Sequence, residues 1–168
     1  MKRVCIIAVH PDDETLGCGG TILKHQENGD EVHCILITQG NSEQTVIWEQ
    51  VKKEYNFTSL HELNLPELDL MDLSLNKLIP PISKAFNEIK PQVIYIPNRS
   101  DAHSDHKAVF AAVSSCTKAF RYPYVEQVLM MEVISETDFA LPLPEGVFIA
   151  NYYVDITKQF ERKQQILN

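Results

Sequence analysis

VCIIAV (Val4–Val9) and VHCILIT (Val32–Thr38), separated by an amphipathic stretch over Thr15–Asn28, determine the fold class of this chain. The two short segments are apolar and rich in β-branched residues, which is typical of strands buried on both faces of a parallel sheet. One face of the predicted helix between them carries Leu16, Gly19, Gly20 and Leu23, spaced at i, i+3, i+4 and i+7. A strand, a helix and a second strand form a βαβ unit, so the pattern predicts an α/β protein with a mostly parallel sheet.

The remainder of the chain continues the alternation. Further strands are predicted over Val93–Pro97, Gln127–Ile134 and Phe148–Val154. Further helices are predicted over Glu43–Asn56, Leu75–Ile89 and His106–Lys118, and Thr157–Asn168 has helical composition. Pro80-Pro81 is expected to break or kink its helix, and Leu141–Gly146 is expected to be an ordered loop. These elements predict a Rossmann-like fold of three layers, with residues 1–168 in a single domain.

Composition and charge limit the classes of partner. The chain has 44% hydrophobic residues and a formal net charge of −8, without a lysine-arginine run, so nucleic acid and anionic membrane surfaces are poor partners. The apolar stretch after Met1-Lys2-Arg3 is shorter than the core of a signal peptide, and no other segment approaches membrane-spanning length. We therefore expect a cytoplasmic protein without membrane insertion. The sequence is compatible with a homo-oligomer.

The cysteines do not form a metal-binding or redox motif. No CxxC pairing is present, and most of the four lie in segments predicted to be buried strand or helix. Free cysteine commonly packs as a small apolar residue. We expect reduced core thiols at Cys5, Cys18, Cys34 and Cys116.

A first polar cluster, His10-Pro-Asp-Asp-Glu14, directly follows the first predicted strand. It therefore lies at the carboxyl end of a parallel strand, where open α/β sheets bind ligands. Acidic residues favour a helix N-terminus through the helix dipole, but a capping role needs only one of them. The adjoining histidine indicates a functional site.

A second cluster, Asp101-Ala-His103-Ser-Asp105-His106, follows the Val93–Pro97 strand and opens the next predicted helix. It occupies the same structural position as the first cluster. Helical spacing places His106 at the exposed upper end of a core-facing stripe, from which it can reach over the sheet edge. The other three histidines are expected to be hydrogen-bonded structural residues: His25, His33 and His61.

The two clusters together offer the donors of a catalytic zinc site. Catalytic zinc typically has three protein ligands and an open position for water, and His10, His106 and one aspartate of the Asp12-Asp13 pair would supply them. The other aspartate could take a proton from the water. Spacing alone does not decide which aspartate has which role. Asp105 could accept the second ring proton of a site histidine and fix its tautomer. Asp101 could do the same or could simply cap the turn.

The string AVHPDDETLGCGGTI (residues 8–22), followed by LITQG (residues 36–40) and DAHSDH (residues 101–106), resembles the LmbE-like, or PIG-L, family of zinc-dependent N-acetylglucosaminyl deacetylases. The resemblance implies that His10, Asp13 and His106 hold zinc and that Asp12 is the base. It also implies that His103 lies near the metal without binding it, and there stabilises the oxyanion or protonates the departing amine. Another divalent metal, such as Fe²⁺, fits the same donors.

The implied reaction is hydrolysis of an N-acetyl sugar or sugar conjugate to acetate and a free amine. Three features depart from the family pattern. Relatives usually continue past this length, so we expect the family's C-terminal portion to be missing from residues 1–168. The arginine and glutamate that relatives often place after the second strand are not found, and Ser104 replaces a common proline.

Other functions are compatible with parts of the pattern. A metal-dependent phosphoesterase could use a similar site, usually with two metals and more carboxylates. A metal-binding module without catalysis would take up metal and release no amine. A nucleotide-binding Rossmann domain fits poorly, since Gly17, Gly19 and Gly20 lack GxGxxG spacing and the acids at that helix start would repel a pyrophosphate.

Overall fold

A computed structural model describes residues 1–141 and 143–168 as an alternation of strands and helices. The strands are β1 (Arg3–Ala8), β2 (Glu31–Thr38), β3 (Ser59–Leu65), β4 (Val93–Pro97) and β5 (Gln127–Met131). The helices are α1 (Asp13–Glu27), α2 (Ser42–Tyr55), α3 (Leu75–Ile89), α4 (Ser104–Ser115) and α5 (Phe160–Leu167).

The strands form one five-stranded sheet in the order β3-β2-β1-β4-β5, and each described pairing is parallel. The predicted α/β class is confirmed. Central β1 pairs with β2 on one side and β4 on the other, with Val4 opposite both Val32 and Val93. The loops after β1 and β4 therefore leave the same edge of the sheet side by side. This arrangement brings the two polar clusters together.

Two apolar cores cover the faces of the sheet, which gives the three predicted layers. Alternate β1 side chains enter opposite cores: Cys5 and Ile7 pack toward α3 and α4, whereas Val4 and Ile6 pack toward α1 and α2. All four are fully buried. Burial on both faces explains why β1 is apolar throughout rather than alternating with polar residues.

The α3 helix passes through Pro80 and Pro81 without ending, so the predicted break there is wrong. Each proline removes one hydrogen bond to the carbonyl four residues earlier. Those carbonyls belong to Asn76 and Lys77, which lie in the exposed first turn and are accessible to water. The buried stripe formed by Leu78, Ile82, Ala85, Phe86 and Ile89 holds the helix on the sheet.

Two predicted elements near the end of the chain differ in the structure. Phe148–Val154 is not a strand, and most of these residues are exposed. Strand-forming composition does not suffice where the backbone has no ladder partner. The strand predicted to reach Ile134 ends at Met131, and a turn over residues 133–137 follows it. In the predicted Leu141–Gly146 loop a turn is present at 144–146, while Pro142 lies outside the described residues.

The four cysteines are buried and, within the described part of the chain, free, as predicted. No helix of the described residues has both the length and the apolar character needed to cross a membrane. His25 bonds to Asp30 and Tyr95, and His33 bonds to Ser59, so these two histidines are the structural residues that the sequence predicted.

Candidate active site

The turn after β1 directs two consecutive aspartates differently. Asp13 points back over the strand end, where its Oδ2 accepts the backbone N–H groups of Val9 (3.0 Å) and His10 (2.8 Å). Asp13 is buried, while Asp12 is exposed. The His10 carbonyl accepts the backbone N–H groups of both aspartates, which makes the turn tight. One aspartate is thus rigidly fixed, and its neighbour faces the solvent side of the site.

The start of α4 brings the second cluster to the same place. His103 caps the helix, because its Nδ1 accepts the backbone N–H of Asp105 at 3.1 Å. Asp105 is fully buried, and its Oδ2 lies 3.3 Å from His10 Nε2. The same carboxylate accepts the backbone N–H groups of Leu68 and Leu70, which ties the loop before α3 to the site. The prediction that Asp105 accepts a ring proton of a site histidine agrees with this geometry.

Potential ligand atoms of His10, Asp13 and His106 lie within 4.8 Å of one another. Asp13 Oδ2 is 3.3 Å from His106 Nε2 and 3.8 Å from His10 Nδ1. Donors about 2.0–2.1 Å from a tetrahedral zinc ion are separated by roughly 3.3 Å. The three groups therefore have a spacing that fits a metal ion.

A second set of three potential ligands, His10, His103 and Asp105, also has its ligand atoms within 4.8 Å of one another. In this set His103 Nδ1 caps α4, and the Asp105 carboxylate accepts two backbone N–H groups. Asp13 Oδ2 also accepts two backbone N–H groups, so the carboxylates do not distinguish the two sets. By contrast, His106 Nε2 is buried and has no hydrogen-bond partner among the described residues. An unpartnered buried nitrogen beside a carboxylate favours the set that contains His106.

The tautomer of His106 is set by Asp101. His106 Nδ1 donates to Asp101 Oδ2 at 2.8 Å, and both residues are fully buried. Burial alone would lower the pKa of His106, but the hydrogen bond to Asp101 and the adjacent Asp13 carboxylate raise it to about 10. Burial would raise the pKa of Asp13, but His106 and the backbone N–H of His10 lower it. A metal ion must therefore displace a proton from this pair.

The Asp12 carboxyl has the acidity that a general base needs. Although part of the Asp12 residue is exposed, the protein around its carboxyl removes some of its hydration. This desolvation, and then the negative charge of Asp13, raise the pKa of the carboxyl to about 6. A carboxyl with this pKa is mostly ionised at neutral pH, and it is a strong enough base to accept a proton during a reaction.

Three supporting residues escaped prediction from the sequence. Glu14 is fully buried, and its carboxylate accepts the Thr15 hydroxyl (2.6 Å) and the backbone N–H of Asp12 (3.2 Å). Glu136 accepts the backbone N–H of His103 at 3.1 Å, and Thr137 donates its hydroxyl to Asp101 at 2.8 Å. Glu14 belongs to the first cluster, whereas no local motif marks the other two.

A groove of about 820 Å³ lies next to these residues. It is bounded by the start of α1, the end of β4, β5 and the extended segment 147–154, with Leu16, Asn98 and Arg99 among its lining. None of the three metal-donor residues lines it. The groove is therefore adjacent to the metal-donor cluster rather than part of it.

Comparison with known families identifies the class of protein. The family model described as PIG-L, GlcNAc-PI de-N-acetylase, matches residues 5–117. The chain belongs to this family, as the resemblance of its motifs predicted. It is also similar to YaiS of Escherichia coli (strain K12), named an uncharacterized deacetylase, with 29% identity over 122 residues. The aligned part is 66% of this chain and 65% of YaiS, so the chain spans a little under two thirds of that relative.

Solved structures share the fold. The conserved protein TT1542 from Thermus thermophilus superposes with a TM-score of 0.77 at 20% identity, covering 99% of this chain and 77% of that chain. The N,N′-diacetylchitobiose deacetylase from Pyrococcus horikoshii gives a TM-score of 0.71 at 20% identity, covering 99% of this chain and 68% of that chain. At these identities the likeness establishes the architecture.

Proposed function

We propose that this protein is a zinc-dependent N-deacetylase that releases acetate and a free amine from an N-acetylglucosamine-type sugar or sugar conjugate. The observation that carries the proposal is the convergence of His10, Asp13 and His106 at the sheet edge, with the ionisable Asp12 next to them. Two nitrogen donors and one oxygen donor suit a catalytic zinc site, which leaves a position for water. The same donors also accept other divalent ions such as Fe²⁺.

When bound by these three residues, zinc supplies a Lewis acid that polarises a carbonyl group and makes a water molecule acidic near neutral pH. The chain's own residues then handle the protons. Asp12 accepts a proton from the water that attacks the acetamide carbon. When the carbon–nitrogen bond breaks, the departing amine must gain a proton, and Asp12 holds one to return.

His103 suits stabilisation of the oxyanion better than proton donation. Its Nδ1 accepts the backbone N–H of Asp105, so the neutral ring carries its proton on Nε2. An Nε2–H can donate a hydrogen bond to an oxygen that gains negative charge in the transition state. Protonation at Nδ1 would replace this capping bond with two N–H groups facing each other. This geometry favours the oxyanion role over proton donation for His103.

The family supports the choice of substrate class. The matching family model carries the description GlcNAc-PI de-N-acetylase. The relative YaiS is named a deacetylase, and a structure of the same fold is a deacetylase of N,N′-diacetylchitobiose. We therefore expect a small-molecule substrate with an N-acetyl amino sugar. A cytoplasmic location and the lack of a nucleic-acid partner stay predictions.

The test is release of acetate and amine from a panel of N-acetylglucosamine derivatives, including free N-acetylglucosamine and diacetylchitobiose, by the zinc-loaded chain. Asp12→Asn should keep the zinc and lose turnover by about a hundredfold or more, since general-base catalysis contributes about 10²–10⁴-fold. Asp72→Asn, at an exposed position in the β3–α3 connection, is the matched control and should retain activity.

The same assay separates the alternatives. Hydrolysis of p-nitrophenyl phosphate with no amine release would identify a phosphoesterase. Zinc uptake without turnover on either panel would identify a metal-binding module without catalysis. Equal turnover in Asp12→Asn and the parent chain would contradict the role assigned to Asp12.

A further inference from the structure

We propose that the Thr137 hydroxyl is a positioning group for His106, acting through the carboxylate of Asp101. Thr137 lies in the turn formed by residues 133–137, directly after β5. The inference rests on the proposed metal site and extends it to a residue outside both sequence motifs.

A continuous chain of hydrogen bonds joins the turn to the metal-donor cluster. The backbone N–H of Val133 donates to Thr137 Oγ1 at 2.9 Å. The Thr137 hydroxyl lies 2.8 Å from Asp101 Oδ1, and His106 Nδ1 lies 2.8 Å from Asp101 Oδ2. Each oxygen of the Asp101 carboxylate therefore has one partner of its own.

The direction of each bond in this chain is fixed by chemistry. A backbone N–H can only donate, so Thr137 Oγ1 accepts from Val133 and its own proton remains available for Asp101. An ionised carboxylate can only accept, so His106 must donate its Nδ1 proton to Asp101. In the neutral ring that binds a metal ion, the lone pair of His106 then lies on Nε2, the atom that faces Asp13. The chain of bonds thus selects the tautomer that can bind a metal ion.

Burial makes the hydroxyl hard to replace by water. Asp101 and His106 are 0% exposed, and Thr137 is 7% exposed. The turn is also fastened at two other points, since the Glu136 carbonyl accepts the Ala102 N–H and the Glu136 carboxylate accepts the His103 N–H. If the hydroxyl is removed, Asp101 Oδ1 loses its partner and the rotation of the carboxylate against His106 is less restricted.

Loss of this restraint should weaken metal binding. Hydrogen-bond partners of metal ligands typically contribute 10–100-fold to metal affinity. Thr137 acts one bond further out, through Asp101, so we expect Thr137→Val to lower zinc affinity about tenfold. Thr137→Ser keeps the hydroxyl and should remain within about threefold of the parent chain.

The experiment measures zinc dissociation constants of the full chain by competition with a chromophoric chelator. The variants are Thr137→Val, Thr137→Ser and the control Thr117→Val, which removes a hydroxyl that bonds to the Ser114 carbonyl at the far end of α4. Visible spectra of the Co²⁺-loaded chains report the ligand geometry. Thermal unfolding in EDTA reports any stability change without metal.

A tenfold loss in Thr137→Val, recovery in Thr137→Ser and an unchanged Thr117→Val would support the proposal, as would an altered Co²⁺ spectrum confined to Thr137→Val. Unchanged affinity and spectrum in Thr137→Val would overturn it while leaving the proposed function intact. If the parent chain binds no zinc, the proposed function fails first. Should Thr137→Val not fold, Thr137→Ala carries the same expected loss and the same refutation.

Discussion

Glu14 should make the stability of the metal-free protein depend on pH near neutrality. Its side chain is fully buried, and its carboxylate has the Thr15 hydroxyl and the Asp12 backbone N–H as partners. Burial raises the pKa of Glu14 from 4.5 to about 7, although the bond to Thr15 acts in the opposite direction. The negative charges of Asp13 and Asp12 act in the same direction as burial and are part of this shift.

The sign follows from the direction of the shift. A carboxyl whose pKa is higher in the folded than in the unfolded chain binds its proton more tightly when folded. Its contribution to stability is therefore complete below pH 4.5 and is lost as the pH rises to about 7. Each pKa unit corresponds to about 1.4 kcal/mol, so the shift is equivalent to roughly 3 kcal/mol between the two limits.

Urea unfolding in the presence of EDTA, from pH 5 to pH 8, measures this contribution. The glutamine in Glu14→Gln cannot ionise. As pH rises, the free energy of unfolding of this variant should therefore increase relative to that of the parent, by up to about 3 kcal/mol. Glu145→Gln, at an exposed position, is the control and should follow the parent throughout. A constant difference between Glu14→Gln and the parent at every pH would show that Glu14 does not titrate in this way.

The site and its packing support three further predictions. Because the pKa of His106 is raised to about 10, zinc binding at pH 8 should release about one proton, seen as a dependence of the calorimetric enthalpy on the buffer; the same enthalpy in all buffers would argue against it. Because Asp12 must be ionised to accept a proton, kcat/KM should rise with pH, and the midpoint of the rise, which reports the pKa of Asp12, should be no higher than about 6. A midpoint near 8 would exclude Asp12 as the base. A Cβ at Gly20 would lie 2.5 Å from Ile156 Cδ1, so Gly20→Ala should lower the free energy of unfolding by about 1–3 kcal/mol, and adding Ile156→Ala should restore part of it.

The central βαβ unit and both polar clusters were predictable because their signals are local. β1 and β2 are continuously apolar, and HPDDE follows directly after β1. Parallel strands end at one edge, so the convergence of His10 and His106 follows from the topology once β1 and β4 are neighbours. Helical spacing also indicated that His106 lies on the core-facing stripe of α4, but the end of that stripe was expected to be exposed, whereas His106 is fully buried.

The edge of the sheet was less predictable. β3 covers Ser59–Leu65, where polar residues alternate with leucines. Its residues are only partly buried, so no continuous apolar run marks the strand. The opposite error occurred at Phe148–Val154, where strand-forming composition lacks a pairing partner in the structure. In both cases the outcome depends on neighbouring chain segments rather than on the segment itself.

Glu136 and Thr137 are site residues that the sequence could not predict. Each contacts the second cluster through a hydrogen bond to a residue more than thirty positions earlier in the chain. Their surroundings are turn-forming and carry no motif that names a ligand or a base. The 133–137 turn becomes part of the site only because β5 pairs with β4 and ends beside it.

The zinc content of two single variants, after dialysis against excess zinc and removal of unbound metal, tests the assigned metal ligands without relying on a substrate. The parent chain and His103→Ala should each hold about one zinc ion, whereas His106→Ala should hold none. Retention of zinc by His106→Ala together with its loss from His103→Ala would place the metal among His10, His103 and Asp105 instead. That result would contradict the assignment of Asp13 and His106 as ligands.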